Sequence, residues 1–170
     1  MLPVNALMAE AAQVVVAFVP VDTQAGANAG DWVSMKYFDR LTVIFVKAAG
    51  VAGDDPVLTM KQATDVAGDN AKALNFTRVD SKVGAQTGIG AFTANIQAAA
   101  NTYTDLVSAE AQGLFMIEVQ ASDLDVNGGF DCVQFSVPDT GAGGAQLGAA
   151  IYILRTSRFQ GAGLPSAIVD

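Results

Sequence analysis

Histidine is missing altogether from this chain of 170 residues. Its absence removes the commonest general base and the commonest metal ligand near neutral pH. Cysteine occurs once, as Cys132, so an intrachain disulfide is excluded. That thiol lies in the apolar run 130–135, with no Lys or Arg near it in sequence to lower its pKa, and reads as a small hydrophobe in or beside the core. Basic residues are scarce: 9 Lys plus Arg stand against 17 Asp plus Glu, for a net charge of −8. Such a surface repels phosphate backbones and anionic lipid, so neither nucleic acid nor membrane is an expected partner. No basic residue precedes Lys36, so residues 1–13 lack the positive start of a secretory signal. The apolar run 14–19 falls far short of the ~20 residues of a membrane span. The expectation is a protein made and folded in a cytosol.

The familiar catalytic motifs are also missing. The glycines of 84–90 (GAQTGIG) lack the GxGxxG spacing, no GxSxG occurs, and Ser34, Ser108 and Ser122 have no histidine to activate them. Carboxylate pairs such as Asp123 and Asp125 are a conceivable glycosidase set, but a small sandwich rarely holds the deep cleft that such chemistry needs. The chain reads as a non-enzyme without a cofactor.

What remains is apolar and evenly spread. Hydrophobic residues make up 51% and charged residues 15%, and a chain of this length buries roughly 70% of its unfolded surface as one domain. Short strand-like segments recur between Gly-rich turns. Residues 14–19 are β-branched and closed by Pro20; 57–63, 114–121 and 130–137 alternate; 74–79 puts Leu74 and Phe76 on one face. Two segments, 41–47 (LTVIFVK) and 147–154 (LGAAIYIL), are apolar on both faces, as expected of central strands. Residues 92–96 and 102–107 are candidates for two more, around Ala98-Ala99-Ala100. The pattern predicts an all-β fold: a single β-sandwich over 14–155, immunoglobulin-like or jelly-roll, with an N-terminal arm or short helix over 1–13 and a C-terminal tail over 156–170.

Three groups of residues are candidates for binding. Asp123, Asp125 and Asn127 followed by Gly128, with Asp131 further on, match the opening of a calcium loop. The twelfth position is Gln134 where a bidentate Glu belongs, so the favoured reading is an acidic turn whose side chains cap backbone N–H groups. Asp54-Asp55 and Asp65 with Asp69 read likewise as loop tips. Trp32, Tyr37 and Tyr103 are the aromatics available for sugar stacking in a carbohydrate-binding or host-adhesion module, against core or edge packing. The segment from Arg155 onward carries Arg155, Arg158, Phe159, Leu164 and Ile168 among glycines and a proline, and either folds back over the sandwich or docks on a neighbour. With Trp32, these are the interface candidates.

Several stretches together resemble a family of tailed-bacteriophage structural proteins. They are Gly30-Asp31-Trp32-Val33-Ser34-Met35-Lys36, Arg40-Leu41-Thr42-Val43, residues 62–68 (QATDVAG), Lys72-Ala73-Leu74, residues 121–131 (ASDLDVNGGFD), Tyr152-Ile153-Leu154, Arg158-Phe159 and Pro165-Ser166-Ala167-Ile168. They run in order from about Trp32 to the end. The resemblance implies a capsid decoration or cement protein without enzymatic activity, located in the virion and made in the bacterial host cytoplasm. Its implied partner is the major capsid protein, and a homodimer or homotrimer on a symmetry axis is its natural unit. On that reading the N-terminal arm and the tail from Arg155 are expected to carry much of the contact, and removing residues 158–170 to leave the fold intact.

Overall fold

A computed structural model describes residues 7–106, 110–139, 141, 143–158 and 164–168. After a four-residue helix, α1 (Met8–Ala11), the chain forms β1 (Ala12–Asp22), β2 (Asn28–Ala29), β3 (Val33–Ser34), β4 (Phe38–Lys47), β5 (Val57–Ala63), β6 (Lys72–Ala73) and β7 (Phe76–Val83). A second short helix, α2 (Gln86–Ile89), leads to β8 (Thr93–Ala100), β9 (Thr102–Thr104), β10 (Gly113–Gln120), β11 (Cys132–Val137) and β12 (Leu147–Ser157). Two antiparallel sheets result, an all-β sandwich. The larger runs β1-β12-β4-β10-β7-β8; the smaller runs β2-β11-β5-β6, with β3 paired to β11 and β9 to β5.

Alternation places the core. Leu41, Val43 and Phe45 of β4, Phe115, Ile117 and Val119 of β10, and Ala150, Tyr152 and Leu154 of β12 point inward and are buried. Leu58 and Met60 of β5 and Val133, Phe135 and Val137 of β11 meet them from the other sheet. Phe45 is the hub of an aromatic cluster, with ring centroids 6.2 Å from Phe18, 6.2 Å from Phe115 and 5.8 Å from Phe135. Such tilted and offset pairs add to the area term.

Several strands outrun their expected limits. β1 continues through Pro20 to Asp22, because it is an edge strand and a missing N–H there breaks no ladder; two register shifts, between Val16 and Phe18 and between Phe18 and Val21, accommodate it. β12 continues past Leu154, where the tail was expected to begin soon after, to Ser157, which pairs with Phe38. The alanines at 98–100 complete β8 rather than separating two strands. Residues 72–79 divide: Lys72–Ala73 pairs with β5 in the small sheet, while Phe76 onward joins the large one.

One end of the sandwich is clamped by buried polar groups. The Lys47 ammonium, 2% exposed as a residue, donates to the Ala111 carbonyl at 2.7 Å. Burial pulls its pKa below the usual lysine value, against the opposing pull of Asp105, Asp55 and Glu110. Asp54 accepts from Gln24 Nε2 at 2.6 Å and from the Gly143 N–H at 3.1 Å, and Asp22 accepts the Gln146 N–H at 2.9 Å. These bonds tie the loops after β1, β4 and β11 to one another.

Candidate functional site: an apolar sheet face

The two sheets differ in what they show to solvent. On the outer face of the small sheet Lys61 lies opposite Gln134 and Thr59 opposite Ser136. That is the polar exterior expected of a one-sided sheet. On the large sheet, Val16, Ile151, Ile44 and Met116 form one cross-strand row, and Ala149, Val46 and Leu114 the next. Val14 and Ile153 extend it on the other side, leading to Thr42 and Glu118. Val14, Val16 and Val46 are 48%, 51% and 47% exposed, so the face opens to solvent. Four strands at ~4.8 Å spacing and about 20 Å of strand length give a footprint of about 400 Å². Apolar patches of a few hundred Å² are often functional on folded proteins.

A charged cluster closes one end of the face. Arg155 pairs with Glu118 and donates to Thr42 Oγ1 at 3.0 Å; Thr42 donates to Glu118 at 2.9 Å; Arg40 lies 3.7 Å from Glu118. Arg155, at the expected junction of sandwich and tail, is a strand residue on this rim. Arg158 pairs with Asp39 at 2.8 Å, and its N–H donates to the Tyr37 carbonyl at 2.8 Å.

The other interface candidates lie elsewhere. Residues 164–168 fold back on their own sandwich: Ala167 is fully buried, its carbonyl accepts the Ser34 N–H at 2.6 Å, Leu164 packs on the core and Ile168 stays 46% exposed. Phe159 lies outside the described residues. Trp32 is half-buried against Gly68, where φ is +86° and an added Cβ would come within 2.4 Å of the indole nitrogen. Tyr37 and Tyr103 both pack against the core, Tyr37 from the turn before β4 and Tyr103 from β9 opposite Leu58. The three aromatics sit on different elements.

The acidic turn is occupied by its own chain. Asp123 accepts the Gln120 N–H at 2.8 Å; Asp125 accepts the Gly128 N–H at 3.0 Å and pairs with Lys72 at 2.5 Å. Lys72 first, and the Gly128 N–H second, hold the Asp125 carboxyl below its ordinary range. Asp131 accepts from the Cys132 thiol at 3.2 Å. Gly129, at φ +82°, supplies the left-handed residue, while Gly128 is required by the approach of Asp125, whose Oδ2 an added Cβ would meet at 2.6 Å. Asp123, Asp125 and Asp131, which with Asn127 made up the calcium candidate, are thus engaged by groups of their own chain. Among the described residues no three His, Cys, Asp or Glu side chains gather as a metal site.

Sequence reasoning missed the apolar face although its signal was in plain view. The segments 41–47 and 147–154 are apolar on both sides, a pattern that predicts burial on both sides. β4 and β12 are indeed inner strands of their sheet, but only one of its faces is packed.

No family model, curated protein or solved structure matches this chain. Among the described residues no helix is long and apolar enough to cross a membrane.

Proposed function

We propose that this chain is a structural protein of a tailed-bacteriophage virion, a decoration or cement protein that seats the apolar face of its large sheet on the major capsid protein. The observation that carries the reading is the asymmetry of the two sheets: one polar outside, the other presenting Val14, Val16, Ile44, Val46, Met116, Ile151 and Ile153 as an open surface. A broad protein surface fits such a face, whereas a small ligand needs a concave one. The motif resemblance supplies the identity of the partner.

The energetics suit a lattice. Covering about 400 Å² at roughly 25 cal/mol per Å² yields about 10 kcal/mol before costs. Lost translational and rotational freedom offsets about 4–15 kcal/mol, so a single contact is weak and many-point attachment supplies the avidity. The polar rim of Arg40, Glu118 and Arg155 sets orientation more than affinity. The net charge of −8 keeps free copies soluble before they dock.

Copy number in purified virions, measured by quantitative mass spectrometry against the major capsid protein, tests the reading. A simple lattice fraction supports head decoration. A dozen copies or fewer would move the protein to the neck, tail or fibres and favour the host-adhesion alternative, and none at all would remove it from the virion.

A further inference from the structure

The edges of the two sheets are protected unequally. The large sheet's β1 edge carries Pro20 and two register shifts, and the small sheet's path ends in the two-residue strands β2 and β6. The other edge of the large sheet, β8, is eight residues long (TANIQAAA), with neither charge nor proline, and is exposed along most of its length. An edge of that kind is an open template for another strand. Exposed hydrophobic side chains gather beside it: Ile89 at 93%, Phe92 at 43% and Ile96 at 72%.

We infer that β8 pairs antiparallel with β8 of a second copy, about a two-fold axis through Ile96. Self-pairing suits this strip for three reasons. It is free of charge in a chain of net −8, and Arg78 and Asp80 on the strand behind it neutralise one another at 2.7 Å. In this register Ile96 faces its own copy, Ala94 faces Ala98, and the amides of Asn95 and Gln97 lie opposite each other, so no residue meets a mismatched partner. One patch satisfies both copies and the contact closes at two, leaving no further free edge of this kind.

The register has a geometric consequence. Directly opposed residues in an antiparallel pair project to the same side, so the two large sheets become one, with both apolar faces on one side. A dimer thus offers two copies of the candidate face on the same side of one sheet, which is the bivalency that weak single contacts call for. This last step rests on the capsid reading; the dimer does not.

Sedimentation of the full chain over a concentration series, alongside I96K and I96C, tests it. The wild type is expected at twice its chain mass of 17.5 kDa. I96K, at an exposed position that leaves the fold intact, is expected to weaken association about tenfold or more by placing like charges opposite each other. On mild oxidation I96C is expected to form a covalent dimer, whereas V14C on the opposite edge is not. A wild type that stays monomeric throughout overturns the proposal, as does a dimer unaffected by I96K or one that V14C cross-links instead. Head binding by a monomeric wild type would overturn the dimer while sparing the capsid reading.

Discussion

The Tyr152 hydroxyl, carried on the inner face of the large sheet, accepts the backbone N–H of Phe135 in the small sheet at 2.7 Å. It is a polar bond in the middle of an apolar core, and it fixes how the sheets face each other. Burial pushes the phenol pKa well above the ordinary tyrosine range, despite the N–H that it accepts, so the hydroxyl stays neutral. Y152F leaves the Phe135 N–H without this partner and is expected to cost about 1–3 kcal/mol in denaturant unfolding. G30A should cost at least as much, because its Cβ would come within 2.7 Å of the same hydroxyl and 2.9 Å of the Phe135 carbonyl. Unchanged midpoints in both variants would contradict this bond.

Trp32 is the chain's single tryptophan, so its fluorescence reports directly on the contact with Gly68. G68A combines a left-handed φ with a collision at the indole. We expect a lower Tm and an emission maximum shifted to the red as the indole is displaced toward water. A native spectrum in a variant of normal stability would show that the indole does not rest there.

Residues 164–168 are part of the fold. Since Ala167 is buried and bonded to Ser34, deleting residues 164–170 should lower Tm by several degrees, with the β-rich circular dichroism retained below the transition. Deleting 158–170 also removes the Arg158–Asp39 pair. Lost capsid binding in such a truncation would therefore report instability as much as a missing contact, contrary to the expectation from sequence. A truncation as stable as the full chain would restore the tail as a free arm.

The acidic turn gives a pH signature of definite sign. The Asp125 pKa is lowered in the folded state from the ordinary 3.8, chiefly by Lys72 and then by the Gly128 N–H. Its contribution is complete above that ordinary value and fades as pH falls through the lower folded one. The stability gap between wild type and D125N should be present at pH 6 and close on acidification toward pH 2; because the pair is exposed, the gap is small. EDTA should leave Tm unchanged. A fall in Tm on chelation would restore a calcium site.

Much of the architecture was legible because alternation is a local signal: β5 spans Val57–Ala63 in both sequence and structure, and Cys132 is buried as a small hydrophobe. Strand ends were less so. Arg155 to Ser157 remain in β12 because they pair with Arg40 and Phe38, a long-range fact that no local pattern records. The acidic turn was legible through its own capping chemistry: Asp123 and Asp125 accept backbone N–H groups of the turn, and Gly129 takes the left-handed conformation. The apolar face was half legible: residues such as Ile44 and Ile151 announce that they want cover, but the sequence does not say whether it comes from the same chain or another.

That question is settled most directly by titrating capsids that lack this protein with wild type, V16K and V46K, two substitutions at half-exposed positions of the face. The account predicts saturable binding by the wild type and at least tenfold weaker binding by each variant, with unchanged Tm. Variants that decorate heads as the wild type does would contradict the assignment of this face to the capsid.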